Sequence, residues 1–298
     1  MQRVCVILVN YRQSQKTLSC LRALEKGTIK PDCTYVIDNA YTPQSEKFFR
    51  QQSFSISVNW IYNRENRGFA AACNQGIREA QKNGFEGFVW LLNNDTEPAP
   101  TALENILKKA ESTGAGITGS LIKKADGKFS GGVCQIHPKF ATVRRPASAQ
   151  EKDFDYVEGS SFLISCCCLK KTGLLSEEYF LYFEESDYCL RAKKNGFTLA
   201  WATDSVIFHD IGSSTGSEIA KGKVPYFIDC LMIRNRIHFA LKNGFDRRHV
   251  LFGLTLSLML RFRRLQFLRI LTILQITLSK DAFKNFIQKN GGYYETDN

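Results

Sequence analysis

Apolar and polar residues follow one another in regular blocks through the first hundred residues of the chain. Four short apolar runs occupy 4–9, 34–38, 57–62 and 87–92. Segments with helical character follow them, which predicts helices through Leu18, Leu21 and Leu24, around 43–52, over 70–83, and through Leu103 and Ile106. Because strands that alternate with helices form mainly parallel sheets with helices on both faces, the pattern predicts an α/β fold.

Polar residues cluster where each predicted strand ends, at 10–11, 38–39, 63–66 and 93–95. The carboxyl ends of parallel strands meet at one edge of a sheet, and ligands bind there. Carboxylates at the edge of a core are costly unless something pairs with them. Asp95 in the run LLNNDTEPAP therefore either caps the helix that follows or holds a divalent cation that bridges a diphosphate.

Three further segments carry candidate chemistry, and each also has a purely structural explanation. Gly68 and the small residues 70–72 allow close backbone approach at a helix start, which suits a phosphate or ordinary helix packing. Glu184 and Glu185 open a predicted helix, where one could serve as a general base or both could complement the helix dipole. His209 follows an apolar strand and is either structural or a metal ligand.

The excess positive charge can be assigned to the C-terminal quarter. Between 219 and 290 there are fourteen Lys or Arg and three Asp, a difference equal to the net charge of +11 of the whole chain. Helices are predicted from about 225, and the apolar run 250–260 is too short for a bilayer, which takes about 20 residues. Arginines interleaved with apolar residues follow it. These features predict either an interfacial helix on anionic lipid or a helical hairpin packed on the main domain or a second subunit.

The ten cysteines show no CxxC spacing and no regular framework. They are interpreted as reduced, mostly buried thiols of a cytosolic protein. The apolar stretch at the N-terminus is too short for a cleavable signal sequence. The region 113–165 is irregular and Gly-rich, with short strand candidates and the basic segment VRRPA, and it leads into the strand-like run SFLISCC (161–167).

In this order, the segments resemble glycosyltransferase family 2, whose members have the GT-A fold, and especially its rhamnosyltransferase-like branch. VILVNY is similar to the family's first nucleotide-binding strand, and VIDNAYT to the segment whose Asp contacts the base. ENRGFAAACNQGI resembles the family's ENxGxaxGxNxGi run, and LLNNDT its DXD-type metal motif. The stretch 173–197 is similar to the one that ends in an ED pair, and HDIGSS to a motif with a metal-binding His. The resemblance covers about 3–240.

The resemblance implies a role for each matching residue. Residues in the nucleotide-sugar site would be Tyr11, Asp38, Asn66, Gly68, Asn74, Asn93 and Asn94. Asp95 would bind a divalent cation, magnesium or manganese, and His209 would complete its coordination. Glu185 takes the place of the second acid of the ED pair, the usual catalytic base. Three positions depart from the family pattern: Glu185 is usually Asp, Asn93 replaces the first acid of a strict DXD, and Ala72 often is Gly.

The resemblance also implies a Rossmann-like GT-A fold with a mainly parallel central sheet, helices on both faces and C-terminal helices. The catalytic domain would span 1–218, with nucleotide-sugar binding in about 1–112 and the acceptor side in about 113–218. A basic, amphipathic helical region would span 219–298.

The implied activity is inverting, metal-dependent transfer of a sugar, with rhamnose a candidate. The donor would be a nucleoside-diphosphate sugar of the UDP or dTDP type. The acceptor would be a hydroxyl of a glycan or lipid-linked glycan in cell-surface polysaccharide synthesis. The expected location is cytoplasmic and peripheral on the inner face of an anionic membrane, with no nucleic-acid partner. The C-terminal helices could instead form a homo-oligomer. Competing interpretations are a nucleotidyltransferase or other nucleotide-binding α/β enzyme, or an inactive membrane-associated binding module.

Overall fold

The computed structural model of the chain describes residues 2–209 and 224–291. Its first part forms four parallel strands with helices between them. The strands are β1 (Val4–Asn10), β2 (Cys33–Asp38), β3 (Val58–Tyr62) and β4 (Phe88–Asn93), and the helices are α1 (Ser14–Glu25), α2 (Pro43–Arg50) and α3 (Phe69–Lys82). The strands and helices predicted for this part are confirmed.

β1 lies at the centre of this parallel part because it is apolar on both faces. All seven of its residues are buried. It pairs with β2 on one side and β4 on the other, so that Ile7 lies opposite Tyr35 and Leu91. Ile7 belongs to the core beneath α3, and Leu8 belongs to the core beneath α1. A strand that is buried on both faces needs a continuous apolar run, and this is why the sequence pattern located it.

The second part of the sheet is mixed in direction. Its elements are β5 (Thr96–Pro98), α4 (Ala102–Thr113), β6 (Ile117–Lys123), β7 (Phe129–Gly131), β8 (Val133–Ile136), β9 (Val143–Arg144), β10 (Tyr156–Val157), β11 (Ser161–Ile164), α5 (Cys166–Thr172), α6 (Glu184–Lys194) and β12 (Leu199–His209). The main sheet has the order β3-β2-β1-β4-β11-β6-β12-β5, with β7 on β6, and a small sheet has the order β10-β8-β9. β11 runs antiparallel to both β4 and β6. The parallel arrangement is thus confirmed for β1–β4, while the α/β architecture holds throughout the described residues.

The strand-like run 161–167 ends earlier than the sequence suggests. The Oγ of Ser165 accepts a hydrogen bond from the backbone N–H of Cys168 at 3.2 Å, so Ser165 caps α5. Such a cap satisfies one of the unpaired amides at a helix start. The run is therefore a strand only as far as Ile164 and a helix from Cys166, a correction to the expectation.

Four helices form the C-terminal part, as predicted: α7 (Tyr226–Lys242), α8 (Arg247–Arg263), α9 (Phe267–Leu278) and α10 (Lys280–Asn290). They share an apolar core with Tyr179 and Phe180 of the segment before α6. Among the described helices, none combines the length and the apolar character that crossing a membrane takes. All ten cysteines are unpaired and seven are buried, so most of them lie in the core as predicted, while their reduced state stays a prediction.

Gly132, between β7 and β8, comes closer to β6 than a side chain allows. Its φ is +126°, and a Cβ there would overlap the carbonyl oxygen of Ser120. We expect Gly132→Ala to lower the free energy of unfolding by about 2–4 kcal/mol, because a forced φ and overpacking each cost about 1–3 kcal/mol. Denaturant midpoints measure the change.

Gly127→Ala is the matched control. Gly127 has a φ of +80°, but nothing lies within 4 Å of a Cβ placed there, so only the backbone strain of about 1–2 kcal/mol applies. Equal losses for the two variants would contradict the close approach at Gly132.

Candidate active site

A chain of polar side chains links the carboxyl ends of β1, β2 and β4. Asn94 Nδ2 donates to Thr17 Oγ1 at 3.0 Å, and that hydroxyl donates to Asn10 Oδ1 at 2.8 Å. Asn10 Nδ2 donates to Asp38 Oδ1 at 2.9 Å, and the other oxygen of Asp38 accepts from Ser45 Oγ at 2.5 Å. Asp38 is fully buried. Its carboxylate therefore holds two strand ends and the start of α2 together, and its contact with a nucleobase stays a prediction.

A second cluster of amides lies at the ends of β2 and β3. Asn39 Nδ2 donates to Asn66 Oδ1 at 2.8 Å, and Asn63 Nδ2 donates to Asn39 Oδ1 at 3.1 Å. The oxygen of Asn66 also accepts from the backbone N–H of Gly68 at 3.0 Å, and its Nδ2 donates to the Gly291 carbonyl at 2.6 Å. Asn66 thus connects the sheet edge to the end of the C-terminal helices.

A cleft of about 1170 Å³ opens between this edge and the C-terminal helices. Tyr11 and Asn66, two of the predicted nucleotide-binding residues, line it. Its walls also carry Arg64 and Arg67 from the β3–α3 connection, together with Lys284 of α10. Aromatic and cationic side chains in one concave surface suit a ligand with a ring and negative charge.

Asp95 and His209 lie next to each other, just beyond the carboxyl end of β4. Asp95 lies between β4 and β5, and His209 ends β12, which pairs with β5. His209 Nε2 lies 3.1 Å from Asp95 Oδ1, and both side chains are buried. β5 separates Asp95 from α4, which begins at Ala102, so the alternative that Asp95 caps this helix is wrong. Within 2–209 and 224–291, no third His, Cys, Asp or Glu joins the pair. The rest of the HDIGSS motif, 210–214, lies outside the described residues.

The helix α6 starts from a strained turn. Tyr182 and Phe183 have φ angles of 69° and 76°, in the left-handed region that costs L side chains about 1–2 kcal/mol each. Asn235 of α7 is fully buried, and its Nδ2 donates to the carbonyls of Leu181 at 2.9 Å and Tyr182 at 3.2 Å. These bonds hold the turn and fix the direction in which α6 begins.

The same segment is held from the opposite side by the start of α3. The backbone N–H of Phe69 donates to the carbonyl of Phe180 at 2.8 Å. Gly68 has a φ of +84°, and a Cβ there would overlap the Phe180 carbonyl oxygen. Gly68 therefore permits close packing against the segment before α6, while its role at a phosphate stays a prediction.

Asn74 and Asn93, two further predicted binding residues, also have partners within the chain. Asn74 is fully buried and donates to the Leu175 carbonyl and to Glu177 Oε1, both at 2.9 Å. The backbone N–H of Asn93 donates to the Ser160 carbonyl at 3.2 Å. Asn74 thus orders the segment after α5, and Asn93 ties the end of β4 to the turn between β10 and β11.

Glu184 and Glu185 open α6 in different environments. Glu184 is buried, and this burial raises its pKa well above the ordinary value, with the charge of Glu185 adding to the rise. Glu185 as a whole is half-buried, and the enclosure of its carboxyl raises its pKa to about 7, although the backbone amides of Glu185 and Gly159 oppose the rise. Its Oε2 has no hydrogen-bond partner among the described residues. A general base works best when its pKa lies near the working pH, so the pKa of Glu185 near neutrality favours it over Glu184 as the candidate base.

The sequence patterns missed a charged pair beside Glu185. Arg145 Nε donates to Glu158 Oε1 at 2.5 Å, and Glu158 Oε2 accepts from the backbone N–H of Gly132 at 2.7 Å. The negative charge of Glu158 raises the pKa of Glu185, and the Arg145 guanidinium lowers it. The only sequence signal for this pair was the basic segment VRRPA within an irregular region.

Glu185 and the Asp95–His209 pair lie along the same edge of the sheet. A Cβ on Gly159 would lie 3.8 Å from Glu185 Oε1, so the carboxyl borders the turn between β10 and β11. The next residue in that turn, Ser160, is the one bonded to Asn93, two residues before Asp95. The turn beside the Glu185 carboxyl is thus tied to the end of β4, from which the chain leads directly to Asp95.

The family model described as "Glycosyl transferase family 2" matches residues 5–175, more than half of the chain. The chain belongs to glycosyl transferase family 2. The match ends before α6, so Glu185 and His209 lie outside it. The more specific resemblance to a rhamnosyltransferase branch stays a prediction.

A curated hexosyltransferase is similar to this chain. The "Low-salt glycan biosynthesis hexosyltransferase Agl10" of Haloferax volcanii is 25% identical over 203 residues, which are 65% of this chain and 62% of that protein. This chain thus matches less than two thirds of its relative.

Three solved structures show the same GT-A fold. S. aureus TarS 1-349 has a TM-score of 0.55 at 14% identity, with 97% of this chain and 74% of that one covered. The mannosyltransferase PcManGT from Pyrobaculum calidifontis, in complex with GDP-Man and Mn²⁺, has a TM-score of 0.56 at 13% identity, covering 98% and 85%. GalNAc-T7 with UDP, GalNAc and Mn²⁺ has a TM-score of 0.59 at 14% identity, covering 80% and 48%.

Thr17 tests the polar chain at the strand ends. Thr17→Val keeps the shape of a fully buried side chain but removes the hydroxyl that accepts from Asn94 and donates to Asn10. Each of those amides then loses a partner, at about 1–3 kcal/mol for a buried unsatisfied group. We expect the free energy of unfolding to fall by about 2–4 kcal/mol in denaturant titrations.

Thr118→Val is the matched control. Thr118 is equally buried, but its hydroxyl has no hydrogen-bond partner within the described residues. This variant should be neutral or more stable than the parent, since it removes a hydroxyl that is buried without compensation. If the free energy of unfolding falls by the same amount in both variants, the hydrogen bonds of the Thr17 hydroxyl do not contribute to stability.

Proposed function

We propose that this family 2 chain is an inverting, metal-dependent glycosyltransferase. It moves a sugar from a nucleoside-diphosphate sugar to a hydroxyl group of a glycan or lipid-linked glycan, in the synthesis of a cell-surface polysaccharide. The observation that carries the proposal is the position of Glu185: a carboxyl with a pKa near 7 shares one edge of the sheet with the Asp95–His209 pair. Transfer to a hydroxyl needs both a base for the acceptor proton and a means to offset charge on the leaving group.

The donor is proposed to bind in the cleft beside the ends of β1–β3. Tyr11 offers a ring for the nucleobase, and Arg64 and Arg67 offer positive charge for the diphosphate. Complexes of structural neighbours with UDP-GlcNAc and with GDP-Man support a nucleotide-sugar donor of this class. Buried Asp38 and Asn74 would act on the donor through the strand ends and the segment after α5 that they hold.

Asp95 and His209 are the residues that would hold the cation. They fit such an ion because they come from adjacent strands, are both buried and place an oxygen and a nitrogen 3.1 Å apart. Magnesium and manganese sites are commonly built from one or two carboxylates completed by phosphate oxygens and water, so a small protein donor set is sufficient. A divalent cation there would act as a Lewis acid that stabilises the charge on the departing diphosphate.

Glu185 is proposed to remove the proton of the acceptor hydroxyl while the oxygen of that hydroxyl attacks the anomeric carbon of the donor sugar. Displacement of the nucleoside diphosphate from the opposite face in one step inverts that centre and needs no covalent enzyme intermediate. The charged pair of Arg145 and Glu158 adjusts the basicity of Glu185 from opposite directions. The name of the Haloferax volcanii relative, a hexosyltransferase of glycan biosynthesis, supports a glycan acceptor.

Removing the charge of Asp95 should separate nucleotide binding from its dependence on manganese. In the parent protein, Mn²⁺ should raise the melting temperature further when a UDP-, dTDP- or GDP-sugar is present, because a ligand of the folded state stabilises it by mass action. Asp95→Asn should lose this manganese increment while the protein stays folded. Thermal-shift curves over the donor panel, dTDP-rhamnose included, measure it.

Asp204→Asn is the control, because Asp204 is an exposed acid on β12, the same strand as His209. It should keep the manganese increment. If Asp95→Asn also keeps it, the cation is held elsewhere and this part of the proposal is wrong.

Glu185 should govern the dependence of the rate on pH. Because its pKa in the folded protein is raised to about 7, the base is mostly protonated and inactive below that value. We expect kcat/KM for release of nucleoside diphosphate to rise with pH to a plateau, with an inflection near 7. Glu185→Gln should lower kcat by about 10²–10⁴-fold and leave donor affinity unchanged.

Glu184→Gln is the matched variant, and it should keep most of the activity because burial raises the pKa of Glu184 well above the ordinary value and so opposes the charged form that a base needs. The raised pKa of Glu185 also predicts a stability effect of definite sign. The folded protein holds the proton of Glu185 more tightly than the unfolded chain does. The stability that this proton contributes is therefore lost as the pH rises from about 4.5 through 7. Glu185→Gln should therefore unfold less readily than the parent at pH above 7.

If Glu184→Gln loses its activity and Glu185→Gln keeps it, Glu184 is the base and the assignment of the base to Glu185 is wrong.

A further inference from the structure

The helices α8 and α9 carry most of the exposed apolar surface of the described chain. Of thirteen large apolar side chains that are exposed, only Val143 and Leu241 lie outside this pair of helices and the turn between them. The turn residue Leu265 is 74% exposed. The eleven within it are Leu251, Phe252, Leu256, Met259, Leu260, Phe262, Leu265, Phe267, Leu268, Leu271 and Leu278. We call these residues the apolar face.

The apolar face of α8 follows the helical repeat, on the side turned away from the protein. Exposed positions 248, 251, 252, 255, 256, 259, 260 and 263 recur at the three- and four-residue spacing of one stripe. The opposite side, with Val250, Leu254 and Leu258, packs into the core shared with α7. A surface helix normally turns polar residues outward. The outward side of α8 is instead apolar, apart from Thr255, between Arg248 at one end and Arg263 at the other.

The arginines of this region divide into two groups. Arg261 and Arg269 point inward and both bind the carboxylate of Asp229 on α7. The prediction of an interfacial helix places the interleaved arginines on lipid, and for these two the structure corrects it: they fasten α8 and α9 to α7. Arg263 and Arg264, next to Leu265, are exposed, as are Arg247 and Arg248 at the other end of α8. The stretch 247–278 contains no Asp or Glu.

We propose that the apolar face is a docking surface for a membrane rich in anionic lipid. Apolar side chains at the corner around Leu265 enter the boundary between headgroups and acyl chains, and the exposed arginines contact lipid phosphates. Stable attachment of a protein to a bilayer surface takes both kinds of signal, and the face supplies both. A second copy of this chain fits less well, since a two-fold interface sets the same patch against itself and would bring arginines together with no carboxylate from 247–278 between them.

The ion pairs of Asp229 with Arg261 and Arg269 explain how the apolar face keeps its orientation although it has few polar side chains of its own. Arg261 and Asp229 are each less than 15% exposed, and Arg269 also donates to the Val224 carbonyl at 3.1 Å. One carboxylate with two guanidiniums ties α7, α8 and α9 together across 40 residues of sequence. The rings of Phe262 and Phe267 lie 5.7 Å apart on either side of the turn, which keeps the corner compact.

Co-sedimentation of the full chain with sucrose-loaded vesicles tests the proposal. Vesicles of phosphatidylcholine alone should bind little protein, and vesicles that also contain phosphatidylglycerol should bind it. Raising the salt from about 0.1 M to 1 M should weaken binding, since the Debye length falls from about 10 Å to about 3 Å. Arg263→Gln with Arg264→Gln should lower the partition coefficient by about 30-fold, and Leu265→Ser with Leu268→Ser should lower it comparably.

Lys109→Gln with Lys124→Gln is the matched control, because it removes two exposed positive charges far from α8 in sequence. It should bind vesicles like the parent, and all variants should keep the parent's circular dichroism spectrum. The assay contains no donor sugar, so its outcome is independent of the proposed transferase activity.

Three outcomes would overturn the proposal. One is absence of binding to anionic vesicles at low salt, and another is equal binding to neutral and anionic vesicles. The third is a dimer in light scattering that disappears in Leu265→Ser with Leu268→Ser, which would identify a second copy of the chain as the occupant.

Discussion

Two hydrogen bonds from one buried amide, Asn235 Nδ2 to the carbonyls of Leu181 and Tyr182, support the arrangement of the whole candidate site. They stabilise a turn with two consecutive left-handed residues, a conformation that persists only where its surroundings enforce it. The turn sets the start of α6 and hence the position of Glu185. Since Asn235 lies on α7, the C-terminal helices contribute to the position of the candidate base, and these bonds cross the boundary predicted at 218/219.

The polar residues at the carboxyl edge of the sheet form two groups, one that holds the strand ends together and one that contains the candidate site residues. Asn10, Thr17 and Asn94 satisfy one another in the interior and align the strand ends, as does Asp38. The candidate base and the candidate cation ligands lie farther along the same edge, where Glu185 has an elevated pKa and Asp95 meets His209. This division follows from burial: a polar group enclosed by strands must be hydrogen-bonded to be tolerated, whereas a group that performs chemistry must keep bonding capacity in reserve.

The strands β1–β4 and the helices between them were predictable because fully buried parallel strands require continuous apolar runs. The small sheet was not predictable, because strands of two to four residues carry too little pattern. The ion pair of Arg145 with Glu158 was not predictable either, because it joins two turns of an irregular region. Asp95 and His209 are 114 positions apart, so resemblance to a family, not spacing, suggested that they meet. The inward direction of Arg261 depends on Asp229, 32 residues upstream, which helical plotting of α8 alone cannot include.

The bonds that hold the segment before α6 use its backbone oxygens. Phe69 and Asn235 both donate to carbonyl groups, of Phe180, Leu181 and Tyr182. A carbonyl is the same for every amino acid, so the half-exposed side chains of Leu181 and Tyr182 can be exchanged during evolution without loss of these bonds. The restriction falls instead on distant positions: on Gly68, where any side chain would overlap the Phe180 oxygen, and on Asn235, whose amide no aliphatic residue can replace. Around this segment, the positions next to Glu184 and Glu185 in sequence are therefore the more tolerant of substitution, and the restricted positions are distant in sequence.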